Sequence, residues 1–216
     1  MKATLSATVP SAVLLAALFV YGCGTSDPIL DPSFVTLNRA APDSFDVEMT
    51  TSEGPVRLRF NRAWSPLGVD RAFYLFNNNF YEGARFYRVI DGFVAQFGGS
   101  GEVMVDSLWR ELAINDEPVR AGNARGTIAF ARAGPRSRSF TMYINLADNF
   151  RLDTLTAGGV RGYPPIGRVI DGMAVVDSLY GGYGARPMGT DLGARTLRYE
   201  YPQLDSIAAT SIVRMY

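Results

Sequence analysis

Arg88 and Gln96 are the pair best placed to do chemistry together, eight positions apart in Phe86-Tyr87-Arg88-Val89-Ile90-Asp91-Gly92-Phe93-Val94-Ala95-Gln96-Phe97-Gly98-Gly99. Asp91-Gly92 is a turn dipeptide between two short apolar runs, so the segment reads as strand, reversal, strand. On the first strand, alternation sets Tyr87 and Val89 on one face and Phe86, Arg88 and Ile90 on the other. An Arg flanked by aromatic residues with a nearby Gln is a small set of donors over an apolar floor. It suits chemistry that needs only guanidinium, amide and aromatic groups. The plainer reading of an isolated Arg is a surface ion pair, and all but one of the 21 basic residues of this chain are Arg.

What the sequence lacks narrows the choice further. It contains no His, and its only Cys and only Lys are Cys23 and Lys2. Ser-His-Asp and Cys-His catalysis, Schiff-base chemistry and zinc sites therefore have no residues to build on. Hard-cation sites of Asp and Glu and paired-carboxylate hydrolysis survive that cut. No Asp-Thr-Gly or paired-Glu pattern supports a hydrolase, and no metal or cofactor is expected. Without Lys2, 20 Arg face 21 acidic residues, a net charge of −1. That balance gives no electrostatic case for nucleic acid.

Short strands must position the Arg-Gln pair. Phe45, Val47 and Met49 alternate with polar residues, Ser52-Glu53-Gly54-Pro55 marks a turn, and Val56, Leu58 and Phe60 alternate again, which predicts a hairpin. Ser65-Pro66 starts a helix, with Ser as cap and Pro at its first position, running to Asn77-Asn78-Asn79. Segments 85–90, 93–97, 126–131 and 141–145 read as strands and 211–216 as a closing strand. Residues 171–180 read as a second helix stopped by Gly181-Gly182. Many short antiparallel strands with two helices predict a mainly β fold, a closed barrel plugged at its ends.

With those residues in view, the chain resembles the cyclophilin family of peptidyl-prolyl isomerases. The segment from Phe86 to Gly99 is similar to the family's Phe-His-Arg-Val-Ile-x-Gly-Phe-x-x-Gln-Gly-Gly signature. Gly126-Thr127-Ile128-Ala129-Phe130-Ala131-Arg132-Ala133-Gly134-Pro135, Leu152-Asp153 and Ile166 to Met173 follow in the family's order, over about residues 44–184. The resemblance implies a closed eight-stranded antiparallel β-barrel capped by two α-helices, with a proline groove on its outer face. It implies that Arg88 is the catalytic residue, Phe93 the floor of the proline pocket, and Val94, Met142 and Leu152 its walls. Gln96 would hold the substrate backbone, and Ala131 and Arg132 would line its track. Taken without the family, Phe93, Met142 and Leu152 read simply as core. Tyr87 stands where the family usually has His, Thr141 where it has Gln, and Arg151 where many members carry Trp or Phe, with Phe150 as a possible substitute. Tyr163 is the counterpart of a pocket His.

Residues 1–22 carry the apolar run Ala12 to Val20 and read as a signal peptide. Val20-Tyr21-Gly22-Cys23 resembles a bacterial lipobox, which implies lipidation of Cys23. Residues 23–43 would then be a flexible tether and 44–216 the isomerase domain. By analogy with lipoprotein sorting, Gly24 implies an outer-membrane protein facing the periplasm. Two functions follow: a monomeric, lipid-anchored isomerase acting on proline-containing polypeptides during envelope folding, or a degenerate relative that binds such segments without turnover.

Overall fold

The computed structural model describes residues 27–189 and 194–216. The signal-peptide and lipobox calls, Cys23 included, lie outside the described residues. Strand β1 (Ser44–Thr51) pairs with β2 (Gly54–Asn61) so that Phe45 faces Phe60, Val47 faces Leu58 and Met49 faces Val56. These inward-facing residues are buried together, as the alternation requires. Further strands are β3 (Arg88–Ile90), β4 (Val94–Phe97), β5 (Thr127–Phe130), β6 (Met142–Asn145), the short hairpin β7 (Thr156–Ala157) and β8 (Val160–Arg161), β9 (Pro165–Asp171) and β10 (Ile207–Met215). Eight of them form one antiparallel sheet in the order β10-β1-β2-β9-β5-β6-β4-β3, curled around the main core.

That sheet is open, which corrects the closed barrel expected from sequence. Strand β3 has only three residues, because the Asp91-Gly92 turn ends it and regular pairing does not start before Arg88. The seam to β10 is spanned instead by an isolated bridge, Arg85 to Ser206, and by the Phe86 N–H to Asp205 carbonyl and Ile207 N–H to Ala84 carbonyl bonds.

Among the described residues five α-helices flank the sheet, against the two expected: α1 (Phe34–Leu37), α2 (Pro66–Asn77), α3 (Val103–Glu111), α4 (Met173–Ser178) and α5 (Ala194–Glu200). Ser65 precedes α2 as expected, but its side chain does not cap the helix. Its hydroxyl donates to Glu117, and it is the Glu117 carboxylate that accepts the Leu67 and Gly68 N–H groups, at 2.9 and 3.0 Å. The remaining oxygen valence is met by Arg138 at 3.0 Å, a guanidinium with no exposed side-chain surface.

Part of the stretch expected to be a tether packs on the domain. Tyr74 donates its hydroxyl hydrogen to the Pro28 carbonyl at 2.8 Å, and the Trp109 indole N–H donates to the Ile29 carbonyl at 2.9 Å. Ile29 joins the core, and the Ala41 N–H is bound by Asp70. These bonds fasten the chain across α2 and α3 before it enters β1.

Candidate active site on the outer face of the sheet

Strands β4, β5 and β6 are neighbours, and their register sorts their residues into two layers. Gln96 and Ala129 both lie opposite Tyr143, so all three share the outer face together with Val94. The alternate residues Ala95, Phe97, Ile128, Phe130, Met142 and Ile144 point into the main core. Met142 is therefore a core residue and not a wall of the pocket; the wall on β6 is its neighbour Tyr143, one residue out of phase. The Met142 assignment is corrected accordingly.

The outer layer forms a separate apolar cluster of Val94, Ala129, Tyr143 and Leu152, with Phe93, Ala131 and Tyr163 packed on it. A cavity of about 250 Å³ opens there, lined among others by Arg88, Phe93, Gln96, Tyr143, Leu152 and Tyr163. Arg88 Nη1 donates to Gln96 Oε1 at 3.0 Å, and Gln96 Nε2 donates to the Tyr87 hydroxyl at 2.7 Å. The amide is thus used at both ends, orienting the guanidinium. Arg88 lies with its guanidinium carbon 5.3 Å from the Phe93 ring centroid, and its Nε has no acceptor among the described residues. A cation beside an aromatic face is attracted by the ring quadrupole, which favours this placement.

Tyr87 and Arg88 both reach Gln96, although alternation would put them on opposite faces. Tyr87 precedes the strand, so the pleat that would separate the two does not begin until Arg88. Tyr87 packs with Leu197 and Leu204 beyond the groove. Burial pushes its phenol up, outweighing the opposing bonds from Gln96 and Thr141 and the charge of Arg88. It remains a neutral hydrogen-bonding group through the neutral range. Thr141 and Tyr87 line a second cavity of about 530 Å³ that shares Gln96, Ala131, Arg132 and Met188 with the first.

Arg132 lines both cavities, but its guanidinium turns away to brace the β7–β8 hairpin. It donates to the carbonyls of Ala157, Val160 and Gly162 at 2.7 to 3.3 Å and lies 4.4 Å from the Tyr163 ring centroid. In this way a buried Arg holds the loop that delivers Tyr163 to the cavity. At the opposite rim Arg151 stands 4.7 Å from the Phe93 centroid, while Phe150 is exposed and lies against Gly122. Arg151 itself, and not Phe150, therefore occupies the slot beside Phe93.

Beneath the cavity runs a polar network that sequence reasoning missed. Asn123 and Asn145 are fully buried. Asn123 Oδ1 accepts from the Tyr143 hydroxyl and from Asn145, while its Nδ2 donates to Asp153 and to the Tyr163 carbonyl. Asn149 Nδ2 links Asn145 Oδ1 to the Phe93 carbonyl, each at 2.8 Å. Three pocket residues on three different segments are thereby tied to one buried scaffold. Tyr143 was findable by counting the β6 alternation from Ile144. The three Asn and Met188 carry no periodic signal.

Comparison with known proteins agrees with this geometry. Residues 46–190 match the family described as cyclophilin type peptidyl-prolyl cis-trans isomerase/CLD. The chain is 36% identical over 143 residues to peptidyl-prolyl cis-trans isomerase A of Dickeya dadantii, covering 65% of this chain and 73% of that one. It is 32% identical over 140 residues to isomerase B of Escherichia coli, covering 62% and 84%. A Cryptosporidium parvum cyclophilin crystallised in the presence of the dipeptide Ala-Pro superposes with a TM-score of 0.56 at 16% identity, covering 78% of this chain and 99% of that one, a likeness of fold. The match spans the groove, its Arg, its aromatic floor and the strands that carry them, and the chain belongs to the cyclophilin-type peptidyl-prolyl cis-trans isomerases.

Proposed function

We propose that this isomerase works at the bacterial cell envelope, lipid-anchored through Cys23, and that Arg88 is its catalytic residue. Rotation about an X-Pro amide meets a barrier of ~18–20 kcal/mol because resonance stiffens the C–N bond. At the twisted midpoint the prolyl nitrogen pyramidalises and regains its lone pair. A guanidinium N–H that donates to that lone pair stabilises the twisted state more than either planar isomer, and so lowers the barrier. No nucleophile, metal or proton transfer is needed. The observation that carries this reading is the Arg88 guanidinium, bound by Gln96 and lying 5.3 Å from the Phe93 centroid at an apolar cavity. The proline ring would sit on Phe93, between Val94, Tyr143 and Leu152, with Gln96 and Ala131 along the peptide. A protease-coupled assay on a short Xaa-Pro peptide tests it: a protein-dependent rise in the isomerisation rate is expected. Binding without acceleration would favour instead the non-catalytic proline-peptide module, for which the Tyr87, Thr141 and Arg151 departures speak.

The anchor is tested separately. Cys23→Ser is expected to release the protein into the soluble periplasmic fraction or to leave it as unprocessed precursor, since acylation is the proposed hold on the membrane. Fractionation of wild type and variant reads this out. A correctly cleaved variant that still requires detergent for release contradicts the lipid anchor.

A further inference from the structure

The second cavity has a chemistry of its own. It is lined by Arg110 and Arg136 together with Ser137, Ser139, Phe140 and Thr141, and no Asp or Glu among the described residues lines it. The ion pairs among the described residues are Arg57–Glu48, Arg59–Asp46, Arg62–Asp70, Arg125–Asp177 and Arg138–Glu117; neither Arg110 nor Arg136 takes part. Arg110 projects from the last turn of α3, its guanidinium 6.0 Å from the Phe140 centroid, so the ring holds it beside the opening. Arg136 has left-handed backbone, φ 48°, and its N–H is fixed by Asp116 at 2.8 Å, which pins the loop from which its side chain extends. Arg132, the third guanidinium, is spent on carbonyl groups. Two cations with no carboxylate partner among the described residues therefore flank a cavity that adjoins the Arg88 groove and shares Gln96, Ala131, Arg132 and Met188 with it.

We propose that this second cavity selects acidic substrates: a Glu or Asp side chain within three residues of the isomerised proline, received between Arg110 and Arg136. The inference rests on the reading that the Arg88 groove holds the proline. An extended peptide advances about 3.3 Å per residue, so a neighbour one to three positions away reaches a cavity that shares its wall with the first. Two guanidiniums offer planar, multiply donating forks suited to a carboxylate. The reward is modest because both are exposed to water and screened by salt.

The test compares Xaa-Pro peptides carrying Glu or Gln at each of the three positions before and after the proline, with the wild-type protein. At one or more positions kcat/KM for Glu should exceed that for Gln by about threefold or more at low ionic strength. The ratio should fall towards one at ~1 M salt, where the Debye length is about 3 Å. In the Arg110→Gln, Arg136→Gln double variant the Glu-to-Gln ratio should approach one. A ratio of one at all six positions overturns the proposal, as does a preference that persists in the double variant. The same ratio read as binding of labelled peptides separates the two claims. Glu preference in binding without turnover rejects the isomerase reading and leaves acidic selection standing, while turnover and binding both indifferent to charge reject acidic selection alone.

Discussion

Glu117→Gln is expected to destabilise the protein by ~3–5 kcal/mol, the usual cost of breaking a buried ion pair and leaving one charge behind. The charge left behind is Arg138, whose side chain has no exposed surface and whose Nε already lacks an acceptor among the described residues. The same carboxylate takes the Ser65 hydroxyl and the first N–H groups of α2, so the substitution also weakens a helix start. At ~2–4 °C per kcal/mol for a chain of this size, the fall in Tm should be at least about 6 °C. The pH dependence has a definite sign. Burial alone would raise the Glu117 carboxyl, but the bonds from Ser65, Leu67 and Arg138 outweigh it and hold it below its ordinary value of 4.5. Its contribution is therefore complete above that value and is lost as pH falls through the lowered folded-state value. Thermal melts across pH 7 to 3 should show the gap between wild type and variant closing only in acid. A variant that melts within a degree of wild type at pH 7 contradicts the assignment.

Arg88→Ala is expected to lower kcat/KM for an Xaa-Pro peptide at least about tenfold, which asks the guanidinium to supply at least ~1.4 kcal/mol of selective stabilisation to the twisted amide. Stability should hardly change. The one side-chain hydrogen bond that Arg88 makes among the described residues is to Gln96, which keeps its second bond to Tyr87 when the guanidinium is gone, and Arg88 enters no ion pair among them. Arg88→Lys keeps the charge but not the planar fork and should recover little of the activity. Kinetics and melting on the same preparations separate the possibilities. Intact activity rejects the catalytic role, and a large drop in Tm points to a structural one.

Why some of this was legible in the sequence and some was not follows from particular residues. The β1–β2 hairpin could be read because Phe45, Val47, Met49, Val56, Leu58 and Phe60 alternate without interruption and one face is buried. The groove could be read through the Arg88 to Gln96 segment and its family resemblance, which put Phe93, Val94, Gln96, Ala131, Leu152 and Tyr163 around the cavity that the structure brings together. Met142 was assigned to the wrong face because a resemblance fixes a neighbourhood, whereas strand phase fixes which of two adjacent side chains faces out; Tyr143 was the outward one. The pairing of Tyr87 with Arg88 was hidden because strand β3 begins later than the apolar pattern suggests. Helix α3 is nine residues long with buried Val105 and Trp109 four apart, too short a repeat to stand out from a loop. The open seam depends on pairing between residues about 120 positions apart, which local pattern does not encode. The Asn123, Asn145 and Asn149 scaffold likewise exists only in three dimensions.

Exchange NMR on a short Xaa-Pro peptide with sub-stoichiometric protein tests most directly whether rotation is catalysed in this groove. The free peptide interconverts over tens to hundreds of seconds and gives no exchange peaks at sub-second mixing times. Catalysis at Arg88 requires cis–trans exchange peaks to appear on that timescale with wild-type protein and to weaken at least about tenfold in rate with Arg88→Ala. Absence of exchange with wild-type protein, or equal exchange with the variant, would contradict it.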